Sequence, residues 1–264
     1  MMTQDEIAAV NQRHWEEEVR RKGGYTLPWL GLDVELINRY AKGELTSTAH
    51  PFHVMYPPES LLGVKGKDVL CLASGGGQQS AVFGLLGANV TVVDLSQGQL
   101  DGDKTAAKHY GYSIQTVQAD MRDLSCLSSD SFDLVHQMYS MSWIPDVREV
   151  YEGVARLIRT DGVYYVGYWQ PAVAMVGWNG QDYTITKPYA ERVDRGDRGE
   201  FDFRHSMDEI FNGLIESGFS ILRVCEGPFS QHTEYLNADV GSWNHQMGFV
   251  AGDFLIMAKK VETM

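Results

Sequence analysis

The sequence predicts an α/β protein: a doubly wound, mostly parallel, Rossmann-like sheet of seven strands, with an N-terminal helical cap and an insertion after the fifth strand. Three observations predict it. From Lys67 to Trp169, five short apolar runs alternate with helical segments, the pattern of parallel strands joined by crossover helices. A glycine triplet directly follows the first run, where a strand must turn into a helix. Two more strand-like runs follow a last helix and complete the sheet.

In chain order, Gln4 to Lys22 carries Ile7, Val10, His14, Trp15 and Val19 at helical spacing within a strongly charged segment, so an amphipathic helix lies there against something. Gly23 to Pro58 is aromatic and broken by prolines, with a short helix expected near Val34 to Tyr40. The strands read as VLCLA at 69–73, VTVVD at 90–94, IQTVQAD at 114–120, FDLVHQ at 132–137 and VYYVGYW at 163–169. Between them lie helices over Gln78 to Gly87, Ser96 to Tyr110 (Ser96 and Gln99 at capping-box spacing) and Val147 to Arg159. HSMDEIFNGLIESGF then pairs Ser206 with Glu209, carries an apolar stripe and stops at Gly218. FSILRVCEG and GDFLIMAKKV supply the last strands.

Two units follow, a helical and aromatic cap over 1–66 and an α/β domain over 67–264. Residues 170–205 interrupt the second with no clear period, mixing Trp178, Tyr183 and Tyr189 with the charge run ERVDRGDRGE, and read as a solvated loop or a lid over a pocket.

Composition excludes several partners. A net charge of -13 repels a phosphate backbone or an anionic membrane, so nucleic acid and membrane are poor partners. Cys71, Cys126 and Cys225 are scattered, which supports neither a disulfide framework nor a cysteine zinc site. MMTQDEIAAV lacks the basic start and apolar stretch of a signal peptide, and the chain reads as cytoplasmic, a monomer or homodimer. His50 and His53 in HPFH have no accompanying carboxylate or cysteine pattern, so no metal is expected there.

In an open parallel sheet, ligands bind beyond the carboxyl ends of the strands, near the point where strand order reverses. Gly75 to Gly77 stand there, free to take positive φ and without the Cβ that would hold a ligand away. The second strand ends in Asp94, placed to accept hydrogen bonds from a ribose diol. The third ends in Asp120, placed to accept one from an exocyclic amine such as adenine N6. Glycines and two carboxylates on three successive strand ends describe an adenosine site.

LCLASGGGQQS, VVDLSQGQL, QADMRDL and SFDLVHQMYSMSWIPDV, in that order, resemble successive motifs of the class I S-adenosylmethionine-dependent methyltransferases, specifically the small-molecule, type 11-like branch. The resemblance covers Lys67 to Tyr168 and implies methyl transfer from S-adenosyl-L-methionine to an O, N or C atom of a small molecule, leaving S-adenosyl-L-homocysteine. It implies that Ala73, Ser74, Gly75 and Gly77 lie under the methionine portion and ribose, with Gln79 near the amino-acid end. Asp94 would hold the ribose, Leu95 and Gln99 would border the adenine, Asp120 and Met121 would read its edge, and Gln137 would line the amino-acid end. The family usually has an acidic residue where this chain has Cys71 and a glycine where it has Ala73, and many relatives have histidine near Ser142 and Trp143. The tetrad that marks methylation of nucleic-acid bases is replaced by HQMY.

The acceptor pocket is expected from the segments that no motif covers, with Tyr25, Trp29, Tyr139, Trp143, Trp178 and His205 as substrate-binding candidates. His53 is the candidate general base, with His205 and His232 as alternatives, for a reaction whose acceptor arrives protonated. Two other functions fit parts of the pattern. An NAD-dependent oxidoreductase could use the same glycine turn and Asp94, and a non-catalytic protein could bind S-adenosylmethionine without transferring the methyl group.

Overall fold

The structure, a computed structural model, describes residues 2–45, 52–226 and 233–261. Its central sheet contains β1 (Asp68–Leu72), β2 (Asn89–Asp94), β3 (Ile114–Gln118), β4 (Phe132–Met138), β5 (Ile158–Trp169), β10 (Phe219–Glu226) and β11 (Asp253–Lys260). The strand order is β10-β11-β5-β4-β1-β2-β3, and β11 runs antiparallel to both of its neighbours. After β3 the chain returns to the other side of β1, so strand order reverses between β1 and β4 and a crevice opens at their carboxyl ends.

Burial explains the strand composition. Leu70 and Leu72 of β1 face one core with Val135, Val150 and Ile210, whereas Val69 and Cys71 face the other with Phe83, Ile37 and Tyr40. A strand covered on both faces has no polar side to show, so β1 reads as a continuous apolar run. The first core is closed by α5 (Val147–Leu157) and α6 (Met207–Glu216), and the second by α2 (Val34–Ala41), α3 (Gln79–Leu85) and Leu100 of α4 (Gln97–Tyr110).

Helix ends follow local chemistry. Ser206 and Glu209 form a full capping box on α6, and Thr3 with Glu6 form one on α1 (Gln4–Arg21). At α4 only the serine half forms, the Ser96 side chain accepting from the Gln99 N–H.

The structure departs from the sequence pattern in two places. β5 begins at Ile158, before the expected strand, because the helix ahead of it stops at Leu157 and the first residues pair irregularly with Phe132. Residues 170–205 contain two small hairpins, β6 (Val176–Trp178) with β7 (Tyr183–Ile185) and β8 (Val193–Arg195) with β9 (Phe201–Phe203). Strands of three residues are too short to display a period. Past β10 the chain adds a short helix, α7 (Trp243–Met247). Among the described residues no helix is long and apolar enough to cross a membrane.

Candidate active site

The glycine turn after β1 has φ of +76°, +75° and +88° at Gly75, Gly76 and Gly77, where a Cβ is strained. What crowds this turn first is the protein itself. A Cβ on Gly76 would lie 2.9 Å from the Thr26 carbonyl oxygen, and one on Gly77 would lie 2.6 Å from that of Gly102 in α4. Gly102 in turn would clash with the Gly76 carbonyl at 2.7 Å, so helix and turn meet glycine to glycine. Gln78 holds the other side, its Nε2 donating to the carbonyls of Gly24 (3.0 Å) and Leu27 (3.1 Å).

Beside this turn lies a cavity of about 200 Å³. Ala73, Ser74, Gly75 and Gln79 form its end at β1; Asp94, Leu95 and Gln99 line it past β2; Asp120 and Met121 line it past β3. Two predicted residues stand behind the wall. Gly77 faces Gly102, and fully buried Gln137 is tied to Ser140 Oγ (2.9 Å) and to the Tyr164 hydroxyl (2.5 Å).

Burial pushes the Asp94 carboxyl up to about 6, against the pull of backbone N–H groups at Ser96, Gly75 and Leu95. Asp120 is engaged by Arg122, whose Nη2 lies 2.7 Å from Oδ2, and Arg122 also donates to Gln4 of α1 at 2.8 Å. Cys71 is fully buried, and burial raises its thiol pKa.

The roof comes from α1. Asn11, 3% exposed, donates through Nδ2 to the carbonyls of Trp143 (3.0 Å) and Phe201 (3.3 Å) and accepts from the Phe201 N–H at 2.8 Å. Gln12 donates to the Leu95 carbonyl at 2.9 Å. Trp15 packs edge-on to Trp143, with ring centroids 5.2 Å apart.

A second cavity, about 490 Å³, adjoins the first. Tyr25, Tyr139, Trp143 and Trp169 line both. Tyr139 has φ +56°, stacks on Trp169 at 4.5 Å and donates its hydroxyl to Asp253 at 2.5 Å. A left-handed non-glycine residue immediately after β4 matches Ala73 (φ +47°) immediately after β1, so two strained residues flank the crevice. The far wall of the second cavity carries charged side chains from the insertion, together with His205, whose Nε2 lies 2.9 Å from the Met141 carbonyl oxygen. Burial lowers the His205 pKa, leaving the ring neutral at pH 7.

Tyr25, Tyr139, Trp143 and His205 therefore meet at the cavities, while Trp29 and Trp178 do not. Trp29 packs against the core of α2 and α3, and Trp178 packs edge-on to Tyr183 at 5.0 Å. The backbone of His53 lies in the short turn Phe52–Met55; its side chain, like His50 and His232, lies outside the described residues. Sequence reasoning missed Asn11, Trp169 and Arg204. Trp169 ends β5 on the same edge as Asp94, so the strand-end rule that found Asp94 also points to it.

Residues 70–166 match the family described as "Methyltransferase domain". Residues 70–166 form a methyltransferase domain. The chain is 28% identical to the uncharacterized methyltransferase YbaJ of Bacillus subtilis, over 81% of this chain and 88% of that protein. Its fold is shared with an S-adenosylmethionine-dependent methyltransferase from Mesorhizobium loti (TM-score 0.65, 22% identity, 78% of this chain and 98% of that one). It is shared too with the 1,6-didemethyltoxoflavin-N1-methyltransferase of Burkholderia thailandensis, solved with 1,6-didemethyltoxoflavin and S-adenosylhomocysteine bound (TM-score 0.56, 16% identity, 99% and 92% covered).

The first cavity suits S-adenosyl-L-methionine. Three buried polar atoms on its wall have no hydrogen-bond partner: Ser74 Oγ, Gln79 Oε1 and Gln99 Oε1. Buried polar atoms without partners are rare, and acceptors left open beside Asp94 match a ligand rich in hydroxyl and ammonium donors. Gln79 Oε1 is an open acceptor in a chain that has Cys71, and no acid, at that position of β1.

Proposed function

We propose that the enzyme methylates a small molecule seated in the second cavity, with Asp94, Gln79 and Gln99 binding the donor in the first. The observation that carries this reading is the shared aromatic partition of Tyr25, Tyr139, Trp143 and Trp169. When bound, S-adenosylmethionine supplies a methyl group on an electrophilic sulfonium. The chain's own part is to align, enclose and keep out water, which is most of what an in-line displacement requires. Aromatic faces at the partition favour a cation and exclude solvent. His205, neutral at pH 7 with its Nε2 on the Met141 carbonyl, and Asp202, whose carboxyl burial raises to about 6, are groups on the second cavity that can take a proton from an O–H or N–H acceptor. Residues 1–66 act as the cover of the site and 170–205 as its lid, in a protein that works in the cytoplasm, where the free thiols of Cys71, Cys126 and Cys225 persist.

The test is turnover. Purified enzyme given S-adenosylmethionine and fractionated small-molecule extract should release S-adenosylhomocysteine and yield a product heavier by one methylene, read by mass spectrometry. Binding of the donor with no methylated product from any fraction would leave only a binding protein.

A further inference from the structure

The second cavity contains a cation with an unused edge. Arg204 follows β9, its backbone N–H donating to the Arg192 carbonyl at 2.8 Å, and its side chain is 8% exposed on the cavity wall. Its Nε and Nη2 are buried and have no hydrogen-bond partner. Those two N–H groups lie on the same side of the planar guanidinium and point in parallel, the fork that receives both oxygens of a carboxylate.

The other cations on this wall are committed. Lys187 Nζ lies 2.8 Å from Asp194 Oδ1. Arg195 lies 3.5 Å over the Phe201 ring and donates to the Gly199 carbonyl at 3.1 Å. Asp194 Oδ2 stands 3.7 Å from Arg204 Nε, beyond hydrogen-bond reach, with its other oxygen held by Lys187. A buried guanidinium with open donors is destabilising, a cost that a ligand oxyanion would relieve.

We propose that the methyl acceptor carries a carboxylate, which Arg204 receives side-on through Nε–H and Nη2–H. This rests on the reading that the second cavity holds the acceptor. Recognition is by geometry more than by net charge, because Asp194, Glu200 and Asp202 balance the three cations on the same wall.

The experiment uses ¹⁵N-labelled full-length protein saturated with S-adenosylhomocysteine. The Arg204 Nε resonance is followed while acetate and benzoate are added as minimal probes, with acetamide and benzamide as neutral controls. The acids should give a saturable shift at least about tenfold tighter than their amides, the equivalent of one charge-assisted hydrogen bond. Arg204→Gln should abolish acid binding, by calorimetry, with S-adenosylhomocysteine affinity unchanged. Equal response to acids and amides, absence of a response to the acids, or acid binding that survives in Arg204→Gln overturns the proposal. Should Arg204→Gln not fold, Asp194→Asn decides: removing the competing carboxylate should tighten benzoate binding by about fivefold or more, and unchanged or weaker binding overturns the proposal. Failure to bind S-adenosylhomocysteine at the outset would instead overturn the assignment of the first cavity.

Discussion

The two cavities share a wall and differ in construction. The first is floored by the ends of β1, β2 and β3, of which β1 and β2 are buried on both faces, and its lining is mostly apolar with acceptors at Ser74, Gln79, Asp94 and Gln99. The second is walled by the turn after β4, the end of β5 and two short hairpins, and it carries charges of both signs. The difference separates a constant task from a variable one. In the proposed function a common donor is held by the sheet and the acceptor by the insertion, which can change without disturbing strand packing.

The comparison is broken most completely at Asp94. Asp94→Ala removes the carboxylate on the β2 edge of the first cavity. Two charge-assisted hydrogen bonds are worth about 3 kcal/mol or more together, so affinity for S-adenosylhomocysteine should fall by about two orders of magnitude. Calorimetry checks this, with circular dichroism to show that the fold persists. Benzoate binding at Arg204 should survive, since the two cavities are built from different elements; parallel loss of both would show that they are one site.

Asn11 sharpens the comparison from the roof. Its amide spans Trp143, beside both cavities, and Phe201, in the insertion. Asn11→Ala leaves the Phe201 N–H and two carbonyls unpaired where water is excluded, and should destabilise the fold by about 2 kcal/mol. Chemical denaturation measures that loss. Dissociation of S-adenosylhomocysteine should quicken as the helix loosens, and an unchanged off-rate would mean that α1 does not cover the first cavity.

Legibility divides along the same line. Gly75, Asp94 and Asp120 could be found because parallel strands bring their ends to one edge, so spacing in sequence becomes adjacency in space. The glycine triplet was legible as a turn but not in its reason: Gly102 lies a helix away, and only the packed structure pairs it with Gly76 and Gly77. Gln137 was expected in the lining from the family resemblance, yet its amide turns inward to Ser140 and Tyr164. Arg204 sat in a charge-rich stretch where most side chains meet solvent, and nothing local marks the one that is buried.

Acidity tests the first cavity with a smaller effect. Burial raises Asp94 to about 6 and, with Asp94 nearby, fully buried Asp103 to about 7, although Ser80 bonds Asp103 at 2.5 Å. Both carboxyls bind protons more tightly folded than unfolded, so their contribution to the ligand-free protein is full below about pH 4 and is lost as pH rises through 6 to 7. Donor binding through the Asp94 carboxylate, as proposed, should run the other way, strengthening by up to about tenfold per unit between pH 5 and 6 and levelling above. Melting and binding curves of opposite slope are expected, and Asp94→Asn should flatten the binding curve.

The smallest effect falls on the strained floor. Ala73 holds φ +47°, in the left-handed region, where its Cβ crowds the adjacent backbone, while its N–H donates to the Val93 carbonyl at 2.7 Å and cannot move away. Glycine removes that strain and adds freedom to the unfolded chain, two terms of opposite sign and each about 1 kcal/mol. Strain relief wins if the backbone angle is imposed by β1 and the glycine turn, so Ala73→Gly should leave the melting temperature level or raise it by about 2–4 °C. Tyr139 is the matched control, left-handed at +56° but held by its bond to Asp253 and its stack on Trp169. Tyr139→Gly should lower the melting temperature despite relieving the same kind of strain. Equal shifts at the two positions would mean that the strain belongs to the crevice as a whole and not to the side chains that hold it.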